Sequence, residues 1–274
     1  MRKQRKLIAQ ETLKILQQGF YIAPSGLRVD ISALQKISED FSKLITPDDG
    51  IKIVQNLTPT ENTFDTSYKV INASTVQAII ENTESGSPMA VLNFASAKNP
   101  GGGFLNGSIA QEEALAISGG LYNTLLLHKT YYDANWNCKT MMYTDHAIYS
   151  PDVVFFRDAS FNLLEQPVTT SVLTLPAVNM GQVRVKGEDV NRAKQVMKDR
   201  MRLALAIFAH KRNHTIILGA YGCGVFRNDP NDVAKWWKEL LLDEKYGGYF
   251  KNILFVILDK PDGENIRAFE GMFG

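Results

Sequence analysis

The chain has 274 residues, 45% hydrophobic and 22% charged, which suits one large α/β domain or such a domain with a modest extension. Thirty basic residues against 29 acidic ones leave a net charge of +1, so no bulk field draws the protein to nucleic acid or a membrane surface. The two cysteines, Cys138 and Cys223, lie far apart outside any paired motif, which argues for a reducing compartment and against a disulfide framework or a cysteine zinc site.

The N-terminal stretch "MRKQRKLIAQETLKILQQGF" opens with four basic residues, but Gln10, Glu11, Thr12 and Lys14 interrupt the apolar core that a signal peptide needs. Ile8, Thr12, Ile15, Leu16 and Phe20 follow a helical period instead and predict an amphipathic helix. "APSGLRVDIS" reads as a turn into a short strand. "SALQKISEDFSKLI" reads as a second helix ending at the turn "TPDDG", "IKIVQNLT" as a strand and "STVQAIIENT" as a helix. "SPMAVLNFAS" is a buried strand entering a glycine-rich loop, and from Gln111 the pattern is helical, with Ala114, Leu115, Ile117 and Leu121 on one face. Further core strands are "HAIYSPDVVFF", "SVLTLPAVNM", "TIILGAY" and "NILFVILD". Between them lie a long helix over "EDVNRAKQVMKDRMRLALAIFAHKR" and a shorter one over "PNDVAKWWKELLLD". "ENTESGSP" and "YYDANWN" read as surface loops.

Strands alternating with helices predict α/β layers around a parallel or mixed sheet. Residues 1–50 are more helical and polar, and are expected to form an extension packed on a core over 51–274, or part of a single domain over 1–274. No stretch reaches the roughly 18 apolar residues of a membrane span, so the expected location is cytoplasmic, or nuclear in a eukaryote.

Two glycine clusters follow apolar strands: "VLNFASAKNPGGGF" and "TIILGAYGCGVFRNDPNDVAKWW". In open α/β sheets ligands sit beyond the carboxyl ends of the strands, where glycines let backbone N–H groups approach phosphate oxygens. Two such loops predict a diphosphate gripped from both sides. Neither cluster runs into Gly-Lys-Ser/Thr, which excludes a Walker loop. After the first cluster come Glu112 and Glu113, in the first turn of the predicted helix. The bland role is complementing the helix dipole, worth a few tenths to about 1 kcal/mol. Adjacent helical residues point about 100° apart, however, so one carboxylate can face a ligand while the other supports it. A nearby diphosphate and a second carboxylate would both raise the proton affinity of a reacting glutamate, as a general acid requires.

Gly101-Gly102-Gly103, seven intervening residues, then Gln111-Glu112-Glu113 resembles the signature of the poly(ADP-ribose) glycohydrolases, most closely the compact bacterial type. "IAQETLKILQQGFYIAPSG", "YSPDVVFFRD" and "ILGAYGCGVFRNDPNDVA" extend the resemblance nearly end to end. It implies a macrodomain-like three-layer α/β/α fold with a mixed central sheet and an N-terminal helical extension. It implies hydrolysis of the ribose–ribose O-glycosidic bond of poly(ADP-ribose), releasing ADP-ribose, with neither metal nor cofactor. Glu113 matches the catalytic acid and Glu112 the neighbour that orients the ribose. Asn99 matches an asparagine that contacts the distal ribose, and Gln111 belongs to the same substrate-binding signature. The backbone of Gly101, Gly102 and Gly103 and the loop Gly222, Cys223, Gly224, Val225 and Phe226 would hold the diphosphate, with Phe226 against the distal ribose. The partners implied are poly(ADP-ribose) or an ADP-ribosylated protein, bound by a monomer, without sequence-specific nucleic acid or membrane. Two departures, Ile117 where the family often has a basic residue and "LTLPAVN" for an alanine-rich strand end, leave open the choice between long chains and a single ADP-ribose.

The four histidines have no metal spacing, and Cys223 has no histidine placed to activate it. Trp236 and Trp237 fall on a predicted helix and read as core and interface residues, not as a base-stacking platform. Two other functions stay in play: removal of mono-ADP-ribose from a side chain such as arginine, and a reader that binds ADP-ribose without cleaving it. Two carboxylates beside an anionic diphosphate count against the reader.

Overall fold

The computed structural model describes residues 1–57, 64–83 and 87–274, so the centre of the predicted loop "ENTESGSP" lies outside the described residues. Helix α1 (Arg2–Gln18) ends on Gly19, whose φ of 77° is a left-handed cap, and leads into a hairpin of β1 (Phe20–Ile22) and β2 (Arg28–Asp30). Helix α2 (Ser32–Phe41) then stops four residues short of the expected end. Ser42 is extended, and β3 (Lys43–Ile45) pairs with a later strand and buries Ile45.

The predicted turn "TPDDG" and residues 51–56 of the predicted strand "IKIVQNLT" form one helix, α3 (Pro47–Asn56), and Thr58 of that stretch lies outside the described residues. Its start is a capping box: Thr46 Oγ1 accepts from Asp49 N–H, the Asp49 carboxylate accepts from Thr46 N–H, and Pro47 takes the first helical position. Ile53, Val54 and Leu57 pack on the core while Ile51 faces solvent, which is a helical period and not an alternation.

Next come β4 (Ser67–Ile71), which the sequence reading missed, α4 (Thr75–Asn82) and β5 (Met89–Ala95). Helices α5 (Gln111–Ser118), α6 (Leu121–Leu126) and α7 (Lys129–Asn137) follow. The expected loop "YYDANWN" is part of α7, because Tyr131 and Tyr132 bury their rings in the cluster that holds Met89 and Val91 of β5. Then come β6 (Ala147–Arg157), β7 (Leu163–Pro176), α8 (Met180–Val185) and α9 (Val190–His210). The chain closes with β8 (Thr215–Leu218), α10 (Pro230–Lys238), β9 (Asn252–Val256) and α11 (Glu264–Phe273).

Seven strands form one mixed sheet in the order β3-β6-β7-β5-β8-β9-β4, with β6 antiparallel to both neighbours and the run from β7 to β4 parallel. Side chains alternate through it. Ala90 and Leu92 of β5 and Leu173 and Leu175 of β7 join α9, α10 and α11 on one face, and Met89, Val91 and Val172 join α4 to α7 on the other. This is the three-layer α/β/α architecture. A boundary at residue 50 cuts across it, since β3 lies before that point and belongs to the central sheet. Among the described residues no helix is long and apolar enough to cross a membrane.

Helix α1 packs on the far side of the first glycine-rich loop. Arg2 Nε and Arg5 Nε donate to the carbonyls of Asn106 and Gly107 at 3.0 and 2.9 Å, and Thr12 Oγ1 donates to Ile117 O at 2.7 Å. The buried Arg157 ties β6 to the same helix, donating to Thr12 Oγ1 at 3.0 Å and pairing with Glu11 at 2.9 Å. These bonds fix the loop from behind.

Candidate active site

The adjacent parallel strands β7, β5 and β8 end at one edge of the sheet, and a cleft of about 570 Å³ opens beyond them, the size of a small-molecule site. The loop after β5 and the start of α5 form one wall, and the loop after β8 forms the other. Of the residues expected from the sequence, Asn99, Gly102, Gly103, Gln111, Glu112, Glu113, Gly222, Gly224, Val225 and Phe226 line it.

Gln111 fixes where α5 begins. Its side-chain Oε1 accepts from Phe94 N–H at 2.9 Å and its Nε2 donates to Leu92 O at 2.8 Å, so both ends of the amide are bonded to β5. Gln111 lines the cleft and also clamps the helix to the strand, which sets the height of the next two residues.

Glu112 is only 3% exposed and sits at the floor of the cleft. Its Oε2 accepts from Ser96 N–H at 2.7 Å and its Oε1 from Asn93 Nδ2 at a long 3.4 Å. Burial pushes its carboxyl up to about 8; the Glu113 carboxylate acts in the same direction, and the Ser96 and Asn93 donors oppose both. At neutral pH it therefore keeps its proton, and the pair does not place two full negative charges beside an anionic ligand.

This sets a stability profile. Below about 4.5 the carboxyl is protonated folded and unfolded; above that it ionises only in the unfolded chain until the pH passes about 8. Its stabilising contribution is thus full at low pH and is lost as pH rises through that window, on the order of 5 kcal/mol in all. Glu112→Gln, neutral throughout, should remove this slope. Urea unfolding of both proteins at pH 5 and pH 9 checks it: the variant should gain on the wild type as the pH rises.

Glu113 is half-buried. Its Oε1 accepts from Gly103 N–H at 2.9 Å, and its Oε2 makes no hydrogen bond among the described residues. The glycines explain how it fits. Gly102 has a φ of 60°, and a Cβ there would meet Glu113 Cδ at 2.9 Å and Glu112 Oε2 at 3.2 Å, and would strike Glu113 Oε1 directly. Gly101, with a φ of 65°, faces the Phe104 ring and Ala116 instead of the cleft.

The two loops expected to grip a diphosphate differ in the backbone donors they leave free. The N–H groups of Gly102 and Gly103 are already donated, to Asn99 O and Glu113 Oε1. In the second loop the N–H groups of Gly222, Gly224, Val225 and Phe226 make no hydrogen bond among the described residues, so this loop alone presents a row of free donors. Asn228 holds it: its Nδ2 donates to Val178 O at 2.8 Å and to Gly222 O at 3.0 Å. Cys223 turns inward, donates its N–H to Ala220 O and packs against the core, where burial pushes its thiol up. Its side chain does not line the cleft. Ile117, the departure noted above, is buried with Ala9 and Phe104 under α1 and does not line the cleft.

Sequence reasoning missed Asn93, Ser96 and Phe94. Ser96 Oγ accepts from the N–H groups of Lys98 and Asn99 and so shapes the turn ahead of the glycines. Asn93 is fully buried, a polar residue inside the apolar run "AVLNFA", and that placement alone could have marked it.

Residues 9–158 match the family described as "Microbial-type PARG, catalytic domain". Among solved structures, the chain is similar to a poly(ADP-ribose) glycohydrolase from Thermomonospora curvata, at 37% identity and a TM-score of 0.94 over 99% of this chain and 100% of that one. The Thermomonospora curvata enzyme bound to the inhibitor ADP-HPD matches at 36% identity and a TM-score of 0.91, over 98% of this chain and 99% of that one. A poly(ADP-ribose) glycohydrolase from Deinococcus radiodurans in complex with ADP-ribose matches at 38% identity and a TM-score of 0.83, over 89% of this chain and 98% of that one. No match was found among curated proteins.

Proposed function

The chain belongs to the microbial-type poly(ADP-ribose) glycohydrolases, and we propose that its cleft holds one ADP-ribose unit so that Glu113 protonates the ribose oxygen that leaves. It is a glycosidase that hydrolyses poly(ADP-ribose). The observation that carries the assignment of roles is the contrast between the carboxyls. One oxygen of Glu113 is pinned by Gly103 N–H while the other has no hydrogen-bond partner among the described residues, whereas Glu112 is buried with a donor on each oxygen.

The diphosphate lies on the N–H groups of Gly222, Gly224, Val225 and Phe226, with Asn99 and the Phe226 ring bordering the ribose. The bound diphosphate favours the neutral acid, so Glu113 takes up a proton from solvent and gives it to the bridging oxygen as the bond from that oxygen to the anomeric carbon breaks. The oxocarbenium-like ribose that forms lies near the diphosphate, whose charge stabilises it. Water then attacks the anomeric carbon and passes a proton to Glu113, restoring the acid. Glu112, holding its proton, offers the ribose hydroxyls a partner that can donate as well as accept.

A product assay tests this. The protein is incubated with poly(ADP-ribose) and, separately, with proteins carrying single ADP-ribose groups on Arg, Glu or Ser. Free ADP-ribose should be released from the polymer. Inert polymer with cleavage of one mono-modified protein would move the activity to a mono-ADP-ribosyl hydrolase, and binding without cleavage of either would make the protein a reader.

A further inference from the structure

A cleft of about 570 Å³ takes one nucleotide-sized ligand, so the adjoining unit of a polymer must rest outside it. Trp136 stands beside the wall that Asn99 forms. It is 58% exposed, yet its indole is fixed: Nε1–H donates to Lys98 O at 3.0 Å, and the Lys98 ammonium lies 4.6 Å from the ring centroid. The helix beneath is rigid. Tyr131 is fully buried, and Asn135 donates to Tyr131 O and accepts from Thr144 N–H and Oγ1–H. Lys98 has no carboxylate within ion-pair distance among the described residues, and the turn that carries it is stiffened by Ser96 Oγ. A large aromatic face left in water, with its polar edge satisfied and a cation at hand, matches the chemistry of a base and its phosphate.

We infer that Trp136 and Lys98 form an outer subsite for a second nucleotide unit of the polymer, the base stacking on the indole and a phosphate meeting the ammonium; this rests on the reading of the cleft given above. The subsite favours polymer over a single ADP-ribose group, because a mono-modified side chain has no second base to offer it.

The test compares wild type, Trp136→Ala, Trp136→Phe and Lys98→Ala by steady-state kinetics on long polymer and by calorimetry with free ADP-ribose. Trp136→Ala should raise KM for polymer about tenfold, the scale of losing one base–aromatic stack, with kcat and the ADP-ribose Kd unchanged. Trp136→Phe, which keeps a ring but not the Nε1–H bond, should restore most of the KM, and Lys98→Ala should flatten its salt dependence. An unchanged KM in Trp136→Ala overturns the subsite. So does equal damage to kcat and ADP-ribose affinity in both Trp136 variants, which would make the indole a brace for the loop. Wild-type protein that fails to bind ADP-ribose would instead remove the reading of the cleft, and the subsite with it.

Discussion

Replacing Glu113 by Gln should lower turnover of poly(ADP-ribose) by two to four orders of magnitude while leaving the fold and the affinity for ADP-ribose near wild type. The scale is that of a positioned general acid. The substitution is close to isosteric, and the amide oxygen can still accept from Gly103 N–H, so the loop after β5 has no reason to move. What is lost is the transferable proton, and with it the route by which water is later activated. The N–H groups of Gly222 and Gly224 to Phe226, which make no hydrogen bond among the described residues, lie on the other wall and do not bond Glu113. Stopped assays on polymer, calorimetry with ADP-ribose and a thermal melt separate the three quantities. Wild-type turnover in Glu113→Gln would remove the acid from this residue. Loss of binding together with turnover would make its role structural.

The family signature in the sequence was enough to place the carboxylates and both loops, because strand, glycine cluster and helix start are local patterns. Where the sequence reading went wrong, a local signal was outweighed or overlooked. "IKIVQNLT" alternates like a strand, but the capping box of Thr46 and Asp49 with Pro47 was written just ahead of it, and a helix start is the stronger signal. "SKLI" continued a helical pattern, yet the open edge of β6 offered backbone partners that no local pattern reveals. "YYDANWN" looked polar enough for a loop, and only the packed layer above β5 gives Tyr131 and Tyr132 somewhere to go.

In the site, the roles that stayed hidden were those defined by contacts across the fold. Gln111 is legible in the sequence only as part of the family signature, and its two bonds to β5 require the strand and helix to be brought together. Cys223 shares a loop with donors but turns its side chain inward, a matter of backbone direction that spacing does not encode. The glycine triplet was legible as a place where a bare backbone is needed. What approaches Gly102 is the protein's own pair of carboxyls, while the row of undonated N–H groups among the described residues lies on the second loop.

That distinction has its own test. Gly102→Val should abolish polymer hydrolysis to nearly the extent of Glu113→Gln, without touching an ionisable group. A Cβ at this position collides with Glu113 and crowds Glu112, and the φ of 60° is a region that a β-branched residue avoids at a cost of roughly 1–2 kcal/mol. Either the loop withdraws or Glu113 swings off Gly103 N–H. Both displace the acid by an ångström or more, enough for about 100-fold in rate. Had the triplet been the diphosphate grip, ADP-ribose affinity would fall in step with turnover. Since the N–H groups of Gly102 and Gly103 are already bonded within the protein, affinity should fall much less than kcat. Calorimetry and polymer kinetics on Gly102→Val therefore decide between two jobs for one glycine: a parallel loss assigns it to the substrate, and a split loss assigns it to the acid.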